Sequence, residues 1–200
     1  MRLAAEFAGL CDLMTVERIL VSSYELLTGT VAAPDRLPVL AERFARERLT
    51  AHAKALCRSA VHGPAVLFVC THNAGRSQMA RGIFAHLVGD HAPAWSGGSQ
   101  PGAVINPLVV EVMAERGIDI SAEFPKPWTE EFIVAADVVI DMGCGDTDPI
   151  MSGHRFEQWA LADPAEQSID DVRHIRDEIE HRVRRLVTDL HLPRGGGRPA

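Results

Sequence analysis

Residues 65–80 read Ala-Val-Leu-Phe-Val-Cys-Thr-His-Asn-Ala-Gly-Arg-Ser-Gln-Met-Ala, and this stretch decides the fold. Five consecutive apolar residues, 65–69, are the pattern of a strand buried on both faces, as in a parallel sheet. Behind them Met79, Ile83, Phe84, Leu87 and Val88 recur at helical spacing. Between strand and helix lie Cys70, five loop residues (Thr71, His72, Asn73, Ala74, Gly75), Arg76 and Ser77. A strand that delivers a thiol to a loop of N–H groups, closed by a helix N-terminus, is a cradle for an oxyanion. Gly75 is expected to permit the turn, and the Arg76 guanidinium can hold a tetrahedral oxyanion with two nitrogens. The same positive field favours thiolate over thiol, which makes Cys70 a candidate nucleophile among oxyanion donors. The bland alternative is a buried strand-end cysteine beside a surface arginine. The motif's place between a buried strand and an amphipathic helix weighs against it.

Working outward, strands and helices continue to alternate. Residues 94–98 give a weak second strand. Asn106 caps a helix with Pro107 at its first position, running to Arg116 and stopping at Gly117. Thr129 is expected to cap a short helix, residues 137–141 form a third strand, and residues 155–159 a short fourth. The last helix opens at Ser168 with Asp171 three residues on, a capping box. It turns Ile169, Val172, Ile175, Ile179, Val183, Leu186 and Leu190 inward. Such alternation predicts an α/β fold, a parallel sheet with helices on both faces, and ligands beyond the carboxyl ends of the strands.

Upstream the pattern is helical. Val16, Ile19, Leu20, Tyr24 and Leu27 share one face, with Thr15 the expected cap. A second helix opens at Pro38 and carries Leu40, Phe44, Leu49, Ala53 and Leu56 inward, and a short third one falls near residues 3–11. So small a segment has a thin core and is expected to dock on the α/β part or on another subunit. The chain thus divides into a helical extension (1–62), an α/β domain (64–190) and a Gly/Pro-rich tail (191–200) expected to be disordered.

Composition narrows the function. Among 200 residues, 20 are Lys or Arg and 27 Asp or Glu, a formal charge of −7, which speaks against a nucleic-acid footprint. No apolar run approaches the roughly 18 residues of a membrane span, and the N-terminus is a poor secretory signal, so a cytoplasmic location is expected. Four cysteines without a CxxC pair exclude a disulfide scaffold and argue against structural zinc. Cys11 and Cys57 sit within helical patterns and read as packing residues.

Two further residues carry chemistry. Asp163, in the Asp163-Pro164 dipeptide after the fourth strand, can protonate a departing oxygen, although Asp-Pro is also a common turn. Cys144, flanked by glycines after the third strand, is expected on the same rim as Cys70, or else is an incidental buried cysteine.

Residues 70–80, the Gly97-Gly98-Ser99 turn and Asp163-Pro164 resemble the low-molecular-weight tyrosine phosphatase superfamily. The stretches HNAGRSQMA, INPLVVEVMAERGIDIS, EFPKP and MGCGD are similar to its arsenate reductase branch. SYELL and LPVLAERFARERL resemble the helical extension of some bacterial arsenate reductases. The resemblance implies a three-layer sandwich around a four-stranded parallel sheet. It also implies that Cys70 is the nucleophile, Arg76 the oxyanion binder and Asp163 the general acid, with Asn73 and Ser77 stabilising loop and thiolate. Cys144 is implied as the resolving thiol. The thioredoxin-linked branch carries a further Cys where this chain has Asp148 before Pro149, so a three-cysteine relay is incomplete. Either Cys144 passes its disulfide directly to a reductant such as thioredoxin or mycoredoxin, or a small thiol such as mycothiol attacks the Cys70 adduct. No bound cofactor or metal is implied. The alternative is a phosphatase hydrolysing phosphate monoesters through a Cys70 thiophosphate. Cys144, and a segment after Asp163 without an aromatic to grip a ring, favour reduction of arsenate. A homodimer through the N-terminal helices is a further expected partner.

Overall fold

A computed structural model describes residues 2–31, 34–57, 63–144 and 155–193. Four strands, β1 (Val66–Cys70), β2 (Ala94–Gly98), β3 (Val138–Asp141) and β4 (Arg155–Gln158), form one sheet in the order β2-β1-β3-β4. All pairings are parallel. β1 is central and every residue in it is buried, as its unbroken apolar run requires. Its register pairs Cys70 with Gly98 and Val69 with Asp141, which brings three strand ends to one rim.

Alternation along β1 divides the core. Val66, Phe68 and Cys70 face one cluster with Met79, Phe84, Val109, Val112, Ile179 and Val183, supplied by α4 (Arg76–Val88), α5 (Pro107–Ala114) and α7 (Ile169–Asp189). Leu67 and Val69 face a second cluster with Trp95, Phe132 and Val139. That second face is covered by α6 (Glu130–Ala135) and by α3 (Leu37–Leu56), which comes from the N-terminal segment. Phe44 of α3 lies 6.1 Å from Phe132, which stacks on Trp95 at 5.6 Å. The segment therefore docks on the α/β part of its own chain, and its longest helix is one layer of the sandwich. Its remaining helices, α1 (Arg2–Glu6) and α2 (Leu13–Leu27), pack outside α3 through Leu3, Phe7, Val16, Ile19, Ala45 and Leu49.

Several boundary expectations hold in detail. The Asn106 side chain accepts from Leu108 N (2.9 Å) with Pro107 first in α5, and Ser168 accepts from Asp171 N (3.2 Å) at the head of α7. Others need correction. The cap of α2 is Asp12, which accepts from Thr15 N at 2.7 Å, rather than Thr15. Tyr24 is exposed, and Ser23 turns inward instead. The reason is Arg48, whose buried guanidinium donates to the hydroxyls of Ser22 (2.9 Å) and Ser23 (3.0 Å) and so sets the rotation of α2. Leu56 is exposed because the last turn of α3 directs Lys54 inward, to the Gly63 carbonyl (2.9 Å) and Asp137 (3.4 Å). Thr129 stands at the N-cap of α6, but its side chain makes no capping bond. Cys57 is exposed at the C-cap of α3 rather than packed, while Cys11 is partly buried. Asp148-Pro149 and residues 194–200 of the tail lie outside the described residues.

Candidate active site

The loop of residues 71–75 links β1 to α4 and curls around a cavity of about 170 Å³. Cys70, Ala74, Gly75 and Arg76 line it with His72, Gly102, Asn106, Asp163 and Pro164. Cys70 is 2% exposed, and its Sγ lies 3.0 Å from Ser77 Oγ. Asn73 takes the left-handed conformation that the turn demands (φ 48°), which asparagine tolerates better than most residues. Its side-chain amide donates to Ser77 Oγ (2.9 Å). Its carbonyl oxygen accepts from Gln78 Nε2 (3.0 Å) and from Lys126 N (3.0 Å). Ser77 Oγ, which accepts from Asn73, stands within hydrogen-bond distance of the Cys70 sulfur and has a hydrogen that it can give to it.

Gly75 permits the turn, as expected, by close packing and not by positive φ. Its φ is negative (−147°), so the left-handed position belongs to Asn73. A Cβ on Gly75 would stand 2.5 Å from Pro164 Cγ. Glycine is needed there so that the Asp163-Pro164 turn can close over the loop.

Arg76 and Asp163 meet directly. Arg76 Nη2 donates to Asp163 Oδ2 at 2.5 Å, and Nη1 reaches the Leu161 carbonyl at 3.5 Å. The other Asp163 oxygen accepts from Ala165 N (2.9 Å), and Asn106 donates to the Pro164 carbonyl (3.1 Å). A tetrahedral oxyanion in the cradle would compete with this carboxylate for the guanidinium. Asp163 lines the same cavity, so its carboxyl group faces the space that such an anion would fill. His72 is exposed at the cavity mouth.

Cys144 is also brought to this rim, but from the other side of the sheet. It is 7% exposed and belongs to the cluster containing Val69 and Trp95, whereas Cys70 faces α4. Its Sγ lies 3.3 Å from the Cys70 carbonyl oxygen. The turn that holds it is clasped by Asp141, whose Oδ1 accepts from Gly143 N (3.1 Å) and Cys144 N (2.8 Å). Thr71 Oγ1 donates to the Gly143 carbonyl at 2.5 Å and Ser99 Oγ to the Cys144 carbonyl at 3.2 Å. Burial pushes the Cys144 thiol above its ordinary pKa and the Asp141 charge adds to this, against an opposing pull from Ser99.

The sequence reading used residues 123–127 only for the resemblance and gave the strap of residues 122–127, which passes behind the loop, no place at the site. Gln78 donates to the Phe124 carbonyl (3.2 Å), Lys126 N to Asn73, and Gly98 N to the Lys126 carbonyl (2.9 Å). The one signal was a lysine set between prolines in an apolar stretch, Phe124-Pro-Lys-Pro-Trp128. Among the described residues no group of His, Cys, Asp and Glu is placed to hold a metal ion, and no helix is long and apolar enough to cross a membrane.

Comparison with known proteins gives the family. The chain is 38% identical over 130 residues to a putative arsenate reductase of Halobacterium salinarum, covering 62% of this chain and 91% of that protein. It is 35% identical over 128 residues to a glutaredoxin arsenate reductase of Synechocystis, covering 62% and 97%. Among solved structures, the thioredoxin-dependent arsenate reductase of Corynebacterium glutamicum matches with a TM-score of 0.83 at 40% identity, over 95% of this chain and 93% of that one. Residues 1–53 match the N-terminal domain of protein-tyrosine-phosphatase-like proteins. Residues 65–193, the whole span from the buried strand to the end of the last helix, match the low molecular weight phosphotyrosine protein phosphatase family, and the chain belongs to it.

Proposed function

We propose that this protein is an arsenate reductase, with Cys70 the nucleophile, Arg76 the oxyanion binder, Asp163 the general acid and Cys144 the resolving thiol. The Cys70 thiolate attacks arsenic(V) while residues 71–77 and Arg76 hold the anion's oxygens. Asp163 protonates the oxygen that leaves as water, and a sulfur–arsenic bond remains. Cys144 then attacks Cys70 Sγ. The disulfide forms, the sulfur–arsenic bond breaks, and its electron pair stays on arsenic, released as arsenite. Two thiols are oxidised and one arsenic is reduced by two electrons.

The observation that carries this reading is the second thiol. Cys144 stands 3.3 Å from the backbone oxygen of the nucleophile itself, and hydrolysis of a phosphate ester has no use for it. The reductases named above support the same substrate. An external thiol must reopen the disulfide, and relatives named for thioredoxin and glutaredoxin favour a protein dithiol over mycothiol. This chemistry suits the reducing cytoplasm. Leu13, Met14, Val21 and Tyr24, exposed on α2, support self-association through the N-terminal helices, which sedimentation would read as a dimer.

The test is a single-turnover thiol count by intact mass, with fully reduced protein mixed with arsenate or with phosphate. Loss of two thiols with arsenate alone, mapped to Cys70 and Cys144, is expected. No loss of thiols would overturn the role of Cys144, and release of phosphate from a monoester would then favour the phosphatase.

A further inference from the structure

The N-terminal helices reach the site through the strap of residues 122–127. Lys126 is 1% exposed, yet its ammonium is held by Glu47 of α3, at 3.1 Å from Oε2 and 3.2 Å from Oε1. Glu123 lies further away at 3.7 Å, and the Phe124 ring centroid is 4.6 Å from the same nitrogen. Arg43, one turn earlier on α3, donates to the Ala122 carbonyl at 2.5 Å and pairs with Glu123 at 3.4 Å. Burial disfavours the Glu123 carboxylate, but Lys126, Arg81 and Arg43 outweigh it and hold its pKa below the ordinary value. Both ends of the strap are thus tied by charge to a helix outside the α/β part.

From the strap a chain of bonds runs to the nucleophile. Lys126 N donates to Asn73 Oδ1, Asn73 Nδ2 donates to Ser77 Oγ, and Ser77 Oγ stands 3.0 Å from Cys70 Sγ. Donors aligned in series polarise one another, so the first bond matters to the last. We propose that Glu47 is a positioning residue for Cys70: by fixing the Lys126 ammonium it fixes the backbone N–H that orders Asn73, and through Asn73 and Ser77 the thiolate. This rests on the reading of Cys70 as the nucleophile. It gives the N-terminal extension a part in the chemistry, because its carboxylate completes the support of the loop.

The test is E47Q, which keeps the shape of the side chain and removes its charge. Reduced protein is labelled with iodoacetamide at neutral pH, and the rate at each cysteine is read by peptide mass. In E47Q the labelling of Cys70 is expected to slow about fivefold, the rate equivalent of a coupling of roughly 1 kcal/mol, with Cys57 unchanged. E47D, still anionic, is expected to recover most of that loss. The sign is diagnostic. Removing a negative charge without moving the loop would stabilise a thiolate and speed the reaction. An unchanged or faster Cys70 rate in E47Q, in protein whose circular dichroism matches the parent, would overturn the role of Glu47. An equal loss in E47D would do the same. Cys70 labelling no faster than exposed Cys57 in the parent protein would overturn the nucleophile reading and this inference with it.

Discussion

Replacing Asn73 by alanine isolates the residue on which the loop turns. Asn73 is fully buried and left-handed, with its side chain in three hydrogen bonds. Their losses are unequal. Gln78 Nε2 keeps the carbonyls of Asn73 and Phe124, each at 3.2 Å, so its share is small. Lys126 N has no other bond within the strap, and a buried N–H left unpaired costs about 1–3 kcal/mol. Alanine in the left-handed region adds roughly 1 kcal/mol. N73A is therefore expected to lose about 2–4 kcal/mol of unfolding free energy. N73G lacks the same bonds but not the backbone freedom, and is expected to fall about 1 kcal/mol short of that loss. N73D keeps the acceptor for Lys126 and loses the donor to Ser77. It should be the most stable of the three and still slow the alkylation of Cys70. The assay is urea denaturation of the reduced protein followed by circular dichroism, with Cys70 labelling alongside. A loss below about 1 kcal/mol in N73A, or N73G less stable than N73A, would refute the account of the loop.

Two other perturbations follow from buried charge and from burial of a thiol. Arg48 and Glu131 pair at 2.9 Å with side chains 6% and 11% exposed, so R48M, which strands the carboxylate, is expected to cost about 3–5 kcal/mol. R48M/E131L should recover most of this in the same denaturation assay, and no recovery would mean that the arginine acts through the α2 serines instead. Cys144 has a raised thiol pKa, so the folded chain keeps that proton at pH values where the unfolded chain has lost it. Stability should therefore decline as pH rises past the ordinary thiol value of about 8.5. C144S should flatten that decline, and an equal slope in the variant would remove burial of Cys144 as its cause.

What the sequence made legible, and what it hid, divides by the range of the interactions. The strand, loop and helix of residues 65–88 are specified locally, by an apolar run, a turn and a helical period, and each stands where the pattern puts it. Asp163 was legible because a strand end precedes it. The interior of α3 was not. Arg48 and Lys54 look like solvent-facing charges until Glu131 and Asp137 meet them from distant parts of the chain, and the Gly63 carbonyl from beyond the end of α3. Those contacts explain why Tyr24 and Leu56, apolar positions on their helices, end up outside. Lys126 was hidden in the same way, since periodicity records how apolar a face is and not which carboxylate waits opposite a buried cation. Gly75 was read only as permitting the turn, and glycine is the residue most at home at positive φ. In the fold Asn73 occupies that conformation, and Gly75 makes room for Pro164.

The side of the strand on which each sulfur stands has a consequence for the order of events. In the proposed reaction an S–S bond of about 2.05 Å joins a sulfur on the α4 side of the sheet to one packed in the cluster with Val69 and Trp95. In that reading the turn clasped by Asp141 would have to open before the disulfide closes. Such an opening would give the oxidised protein a different surface from the reduced one around residues 142–144. A reducing partner could then tell the spent protein from the fresh one by shape before any thiol is exchanged.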